Sequence, residues 1–431
     1  MRPLQISQFV VTLLVLVLLT SPAVAEGAKD WPLWSGPDGD LTSLDNGLFP
    51  DGDFHLVVDW HQPVGSAYAG MVVADDRLVT GSAEGESDFI VALHAETGDE
   101  LWRYEIGPIY KGHDGSDDGL VGTPAIYGDV VYALGAWGHL AALGLEDGKP
   151  LWTLKLDDDL AGRKPEYGFS ATPLLVDGVL VVKSGGEAGQ SIHGLNPDTG
   201  ERLWSTGDDM VGHQSPGLLE IDGRTHVLAI TDKTILGLDP KSGNELWRQP
   251  YRDYDSNGSA HPIAMGDGKI LLDDYRDVAL LHIQHSDAGW TVDESWRSNK
   301  IGKTWGFAAP YEGHVYGFAG SVLNCLDATT GELKWKSRPP GGGLLILADG
   351  HLVVLNKEGE VVIVEATPEA YTERTRVKVL EKGYLSPLAF AGGHIFVRNL
   401  TEIAAVSVVA GAAPVVEETP ATETAPTSAV R

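Results

Sequence analysis

The nine residues His94–Trp102, HAETGDELW, decide the fold, because the chain repeats them. They return as GLEDGKPLW (Gly144–Trp152), NPDTGERLW (Asn196–Trp204), DPKSGNELW (Asp239–Trp247) and DATTGELKW (Asp327–Trp335). Each copy sets a glycine four residues before a tryptophan: Gly98 and Trp102, Gly148 and Trp152, Gly200 and Trp204, Gly243 and Trp247, Gly331 and Trp335. An apolar run such as Ile90–Leu93 precedes the copy. A run with Trp102, Tyr104 and Ile106 on alternate positions follows it, the period of a half-buried strand. The Thr-Gly, Asp-Gly or Ser-Gly between them supplies the positive φ and side-chain oxygen of a tight turn. Each copy therefore reads as strand, hairpin turn, strand.

The unit recurs every ~40–50 residues, counting a weaker copy at Trp296, which is the sequence mark of a β-propeller. First strands are led by small residues and often Ser/Thr-x-Pro: GTPAI (122–126), SATPLL (170–175), QSPGLL (214–219), SAHPIA (259–264), GFAAPY (306–311), LSPLAF (385–390). GMVVA (70–74) and GLLIL (343–347) are weaker examples. These number eight. So do the last strands, at Trp60, Trp102, Trp152, Trp204, Trp247, Trp296, Trp335 and a tryptophan-less stretch near Thr375–Val379. Phe54–Trp60 has no blade before it, and the strands of 387–408 have no last strand after them. Placing both in one blade closes the ring without a free seam. The expected fold is all-β: an eight-bladed β-propeller of four-stranded antiparallel blades over 54–409, its N-terminal strand closing the last blade, with seven blades as the alternative. An indole at each seam fills the gap between twisted sheets, and truncating one to alanine should cost about 3–5 kcal/mol. Two blades depart from the pattern. In the fifth, Gly289 precedes Trp296 by seven residues, and in the seventh the turn is Thr367–Ala370 with no tryptophan.

The flanks differ from the repeats. Residues 1–25 carry Arg2, an apolar run from Phe9 to Leu19 and Ala23-Val24-Ala25, the pattern of a cleaved signal peptide. The run is too short for a membrane span. No cysteine follows it to take a lipid anchor. Residues 26–53 form an extension packing on the propeller through Trp31 and Trp34. Residues 410–431, rich in Ala, Pro, Thr and Glu, are expected to be a disordered tail. The protein should be exported, periplasmic or extracellular, soluble after cleavage, monomeric and without a transmembrane segment.

The chain has 431 residues, with Lys+Arg 31 against Asp+Glu 61 and a net charge of −30. That balance excludes nucleic acid and anionic membrane as natural partners. Its one cysteine, Cys325, lies in an apolar strand and can form no intrachain disulfide. G-x-S-x-G, H-E-x-x-H, C-x-x-C and phosphate-binding glycine loops are absent.

Local function is expected on the loops from each last strand to the next first strand, which ring one mouth of the channel. Tyr68, Tyr167, His213, Gln214, His261, Trp305, Phe307 and Tyr384 collect there, as walls for a flat ligand or a peptide. Two of these loops place oxygens at positions 1, 3 and 5 and glycine at 6, as a calcium loop does: Asp114, Ser116 and Asp118, and Asp253, Asp255 and Asn257. Ala125 and Ala264 stand where the twelfth-position glutamate would be, so an acidic turn is the competing reading.

The repeated D/N-x-x-T/S-G-x-x-L-W unit and the opening WPLWSGPDGD (31–40) resemble the pyrrolo-quinoline-quinone (PQQ)-like propeller repeat family, and within it the exported BamB-like proteins. The resemblance runs from Trp31 to Val408. It implies that the glycine–tryptophan element docks blades. Quinoprotein dehydrogenases of that family hold PQQ and Ca²⁺ on the axis, commonly beside a disulfide of adjacent cysteines, which this chain lacks. BamB-type members are scaffolds in outer-membrane protein assembly and are normally lipid-anchored. Where relatives usually carry arginine, this chain has Ser35. The resemblance points to a non-catalytic scaffold for a protein or peptide partner in the cell envelope, with no cofactor expected. The alternative is a PQQ-dependent oxidoreductase, with PQQ or calcium as the cofactors to test.

Overall fold

A computed structural model describes residues 30–112, 116–250, 262–273, 276–302, 307–383 and 386–413. These residues form eight four-stranded antiparallel sheets. In seven of them four consecutive strands pair in chain order, as in Met71–Ala74, Arg77–Glu84, Ser87–His94 and Glu100–Pro108 of blade 1. The eighth holds Ala389–Ala391, His394–Arg398 and Glu402–Ala410, and its outermost strand is Phe54–Pro63. Phe54 pairs with Ala410 and Pro63 with Glu402, so both ends of the ring share one blade, as the strand count required.

In GTPAI, SATPLL, QSPGLL and LSPLAF the proline sits just before the first strand, whereas Pro262 and Pro310 lie inside theirs. The strand after GTPAI is only Ala125–Tyr127, because proline has no N–H for the ladder. Their hydroxyls do something else. Thr123 Oγ1 accepts the Gly70 N–H (2.8 Å), Thr172 Oγ1 donates to Thr123 O (2.9 Å), and Ser215 Oγ accepts the Thr172 N–H (2.9 Å). Blades 1 to 4 are thereby stitched together near the axis.

At the outer seams the repeated turn of one blade meets the indole of the blade before it. A Cβ on Gly148 would lie 2.5 Å from Trp102 Cε3, and one on Gly98, Gly200, Gly243 or Gly331 would meet Trp60, Trp152, Trp204 or Trp296 as closely. These glycines also have φ between +65° and +78°. Only a residue without Cβ serves both demands. The indole N–H then donates into the same turn: Trp60 to Ala95 O, Trp102 to Leu145 O, Trp152 to Pro197 O, Trp204 to Pro240 O and Trp296 to Ala328 O, all at 2.8–3.0 Å. Blade 7 has no glycine turn, yet Trp335 still reaches Thr367 O at 2.7 Å. Trp247 is different. Its N–H goes to His226 Nδ1 of its own blade (3.0 Å).

Residues 31–49 form a strap across the ring. Trp31 exchanges backbone bonds with Val73 of blade 1, Pro32 O accepts from Ile126 N–H of blade 2, and Leu41 and Ser43 bond Leu347 of blade 7. Trp31 is fully buried. Trp34 packs on Phe307, just before the first strand of blade 6, at 4.6 Å between centroids. Blades 2 and 6 face each other across an eight-membered ring, so the strap crosses the axis. Among the described residues no helix is long and apolar enough to cross a membrane.

Candidate functional site

Strands alternate in direction, so every link from a last strand to the next first strand emerges at one mouth. The turns from first to second strand and from third to last strand lie at the other, with the strap, while the turns from second to third strand share the loop mouth. At the loop mouth, blades 2 to 4 bring several side chains together. Ser170 Oγ lies 2.6 Å from His213 Nδ1, and the Tyr167 ring is 6.1 Å from the His213 ring. Gln214 is buried, and its backbone oxygen accepts from Lys183 Nζ at 2.6 Å. Lys183 enters from the second strand of blade 3, Val179–Lys183, and is 1% exposed.

Burial brings the Lys183 ammonium down to about 7, against the pull of the Asp232 carboxylate. Burial, reinforced by the Lys183 charge, lowers His213 to about 4, and burial alone does most of the same for His193. The imidazoles are therefore neutral near pH 7. His213 can accept the Ser170 hydroxyl proton, and Tyr167 and His213 offer ring faces.

Beside them stands a second group. Lys164 Nζ lies 5.2 Å above the Trp137 ring and 5.9 Å from Tyr110, and Tyr110 Oη donates to Glu166 O (3.2 Å). Trp137 is 39% exposed. A cation held between rings and an open indole make a surface suited to peptide side chains.

Of the sequence-derived positions, Tyr167, His213 and Gln214 come together. Tyr68 is engaged elsewhere, its hydroxyl accepting the Asp117 N–H at 2.8 Å. Phe307 is turned to the strap through Trp34. His261, Trp305 and Tyr384 lie outside the described residues, as do Asp114, Asp253, Asp255 and Asn257. Of the first acidic loop, the carboxylate of Asp118 is held by Lys111 Nζ and Gly112 N–H, both at 2.9 Å. Ser116 Oγ and Asp118 remain as ligand positions to be tested. The buried Lys183, the half-buried Ser170 and the exposed Trp137 and Lys164 were missed. Only the Lys at the end of the apolar run VLVVK (179–183) gave a signal, a charge where the strand pattern calls for a core residue.

PQQ with calcium on the axis is a poor fit to these residues. The strap with Trp34 and Phe307 crosses the axis, leaving a cavity of about 210 Å³ lined by Leu33, Trp34, Tyr127, Pro173, Pro216 and Pro262 among others. Among the described residues no three His, Cys, Asp or Glu side chains converge as a metal site. Cys325 is buried in blade 6.

The family model described as "Outer membrane protein assembly factor BamB" matches residues 57–158 and 86–269. The outer membrane protein assembly factor BamB of Shewanella oneidensis is 22% identical over 69% of this chain and 70% of its own length. The quinoprotein alcohol dehydrogenase PedH of Pseudomonas putida is 33% identical, but over 28% of this chain. The chain spans about a fifth of the length of the quinoprotein dehydrogenases it matches. Among solved structures, BamB from Moraxella catarrhalis superposes with a TM-score of 0.60 at 17% identity, covering 82% of this chain and 99% of that one. A europium-containing methanol dehydrogenase does so at 0.60 and 13% identity, covering 89% and 99%. Both share the ring. The repeat, the family match and the length of the BamB alignments together support a PQQ-like, BamB-like repeat protein.

Proposed function

We propose that this protein is an exported, non-catalytic propeller, monomeric and free of a membrane span, that binds a protein or peptide partner of the cell envelope at its loop mouth. The carrying observation is the breadth of sequence similarity: it extends over about two thirds of both chains for an outer membrane protein assembly factor, whereas sequence similarity to the dehydrogenases is local, although the ring itself is shared with both. The aromatic and cationic groups at the mouth, Trp137, Lys164, Tyr167 and His213, suit side-chain recognition. Crosslinking in the native envelope tests it. A defined partner should be captured by the wild type and lost in Trp137→Ala/Tyr167→Ala, with the melting temperature kept within a few degrees.

The dehydrogenase reading is supported by the local identity to PedH. Purified protein mixed with PQQ and Ca²⁺ should retain no chromophore after desalting and reduce no dye with alcohol. A retained chromophore with alcohol-dependent reduction would replace the scaffold reading.

A further inference from the structure

Where the strap reaches blade 7, a short bridge is pinned at both ends. The Ser43 N–H donates to Leu347 O at 2.8 Å, and the Leu48 and Phe49 N–H groups donate to Asp349 Oδ2 at 2.8 and 3.3 Å. Between these anchors runs Leu44-Asp45-Asn46-Gly47. Phe49, at the far end, is buried, its ring 4.5 Å from that of His351 and 5.5 Å from that of Phe54. The length of the bridge therefore sets the position of a packed ring.

Asn46 and Gly47 are both exposed. An asparagine amide is open to attack by the backbone nitrogen of the next residue when that nitrogen is unhindered and unbonded. Gly47 meets both conditions. It has no Cβ, nothing stands within 4 Å of where one would be, and among the described residues its N–H makes no hydrogen bond. The Asn46 amide is held only through Nδ2, which donates to Leu44 O at 3.1 Å. The other Asn-Gly pair of the chain, Asn257-Gly258, lies outside the described residues, and every remaining asparagine precedes a residue with a side chain.

We propose that Asn46 is a site of spontaneous deamidation, with water as the co-reactant, and that the product releases the blade 7 end of the strap. Gly47 N attacks Asn46 Cγ and closes a succinimide. The proton of that N–H leaves with the side-chain nitrogen as ammonia. Water then opens the ring. Cleavage between Cγ and N gives aspartate, and cleavage between the main-chain carbonyl carbon and N gives isoaspartate. In isoaspartate the chain runs through Cβ and Cγ, which adds one methylene to the bridge. The Leu48 and Phe49 N–H groups then lose their register with Asp349, and Phe49 is drawn off His351 and Phe54. The chemistry is independent of what the loop mouth binds.

Incubation of the full chain at mildly alkaline pH, sampled over weeks and mapped by mass spectrometry beside the peptide TSLDNGLF (42–49), tests the site. Residue 46 should exchange NH₂ for OH at a rate within about threefold of the peptide's, because no local opening has to precede the attack. Gly47→Ala and Asn46→Gln should each slow the exchange by about tenfold or more. Aged protein enriched in isoaspartate should melt several degrees below fresh protein. Asn46→Asp, which adds the charge without the methylene, should move the transition by less than about two degrees. A residue 46 that stays intact in the protein while the peptide converts overturns the site, as does an unchanged rate in Gly47→Ala. Full conversion to isoaspartate with an unmoved melting transition overturns the release of the strap.

Discussion

Trp102 joins two blades with one side chain, its ring under Gly148 and its N–H on Leu145 O. Removing it takes away a large buried surface and leaves a carbonyl unpaired, so Trp102→Ala should cost about 3–5 kcal/mol in chemical denaturation. Gly148→Ala attacks the same joint from the other side, forcing a Cβ into the indole at a positive φ. It should cost about 1–3 kcal/mol, and more than Gly178→Ala, where φ is also positive but nothing lies within 4 Å.

The titrating groups act at this scale too. His193, His213 and His226 are held by burial near 4, against 6.5 in an open chain. Between those values the unfolded chain binds more protons, so the melting temperature should fall as pH drops from about 6.5 to 4. Lys183, near 7 in the fold and 10.5 outside it, acts in an alkaline window. Its neutral form is favoured in the fold, so stability should rise between about pH 7 and 10.5, and Lys183→Met should flatten that rise.

The spacing of glycine and tryptophan was legible because a turn and a strand are local. Which blade's indole each glycine touches was not, since the contact crosses about 40 residues of chain. The inward Lys183 and the Ser170–His213 pair escaped for the same reason. Tyr68, Tyr167 and Phe307 look equivalent along the chain, yet only Tyr167 comes beside His213.

At the scale of elements, the closing blade carries the longest connection. Arg398 is fully buried there. Its Nη1 donates to Thr80 Oγ1 (2.7 Å) and Gly81 O (2.8 Å) of blade 1, and its Nη2 to Gly65 O (3.2 Å). Burial lowers its affinity for a proton, to about 9, and the carbonyl oxygens partner it without a carboxylate. Arg398→Met leaves those acceptors dry and unpaired. It should lower stability by about 3 kcal/mol or more, against under 1 for the exposed Arg103→Met, by urea denaturation. Nothing marked Arg398 in advance. It reads as an ordinary strand-end charge in HIFVR (394–398). The blade it serves was legible from counting strands alone.

Across the whole molecule, the strap and the closing strand make one continuous stretch, 31–63, that touches blades 1, 2, 6, 7 and 8. Trp34→Ala should therefore lower the melting temperature of the entire ring in a single transition by several degrees, read by calorimetry. Loss of a separate early transition, with the main one unmoved, would mean the strap is an appendage. Resemblance and repeat together announced the ring. The strap's route over the axis depends on packing that no repeat encodes.

Asp53 O accepts the Gly411 N–H at 2.7 Å, so the chain arrives back where its ring began. The strand Phe54–Pro63 emerges first in synthesis, and its partner Glu402–Ala410 emerges last. A ribosome must deliver nearly the whole polypeptide before the circle can shut, and until then one hydrogen-bonding edge stays bare at each end. A rearranged gene that splices 411 to 53 and opens the Arg338–Gly341 turn would give the same circle a different last step.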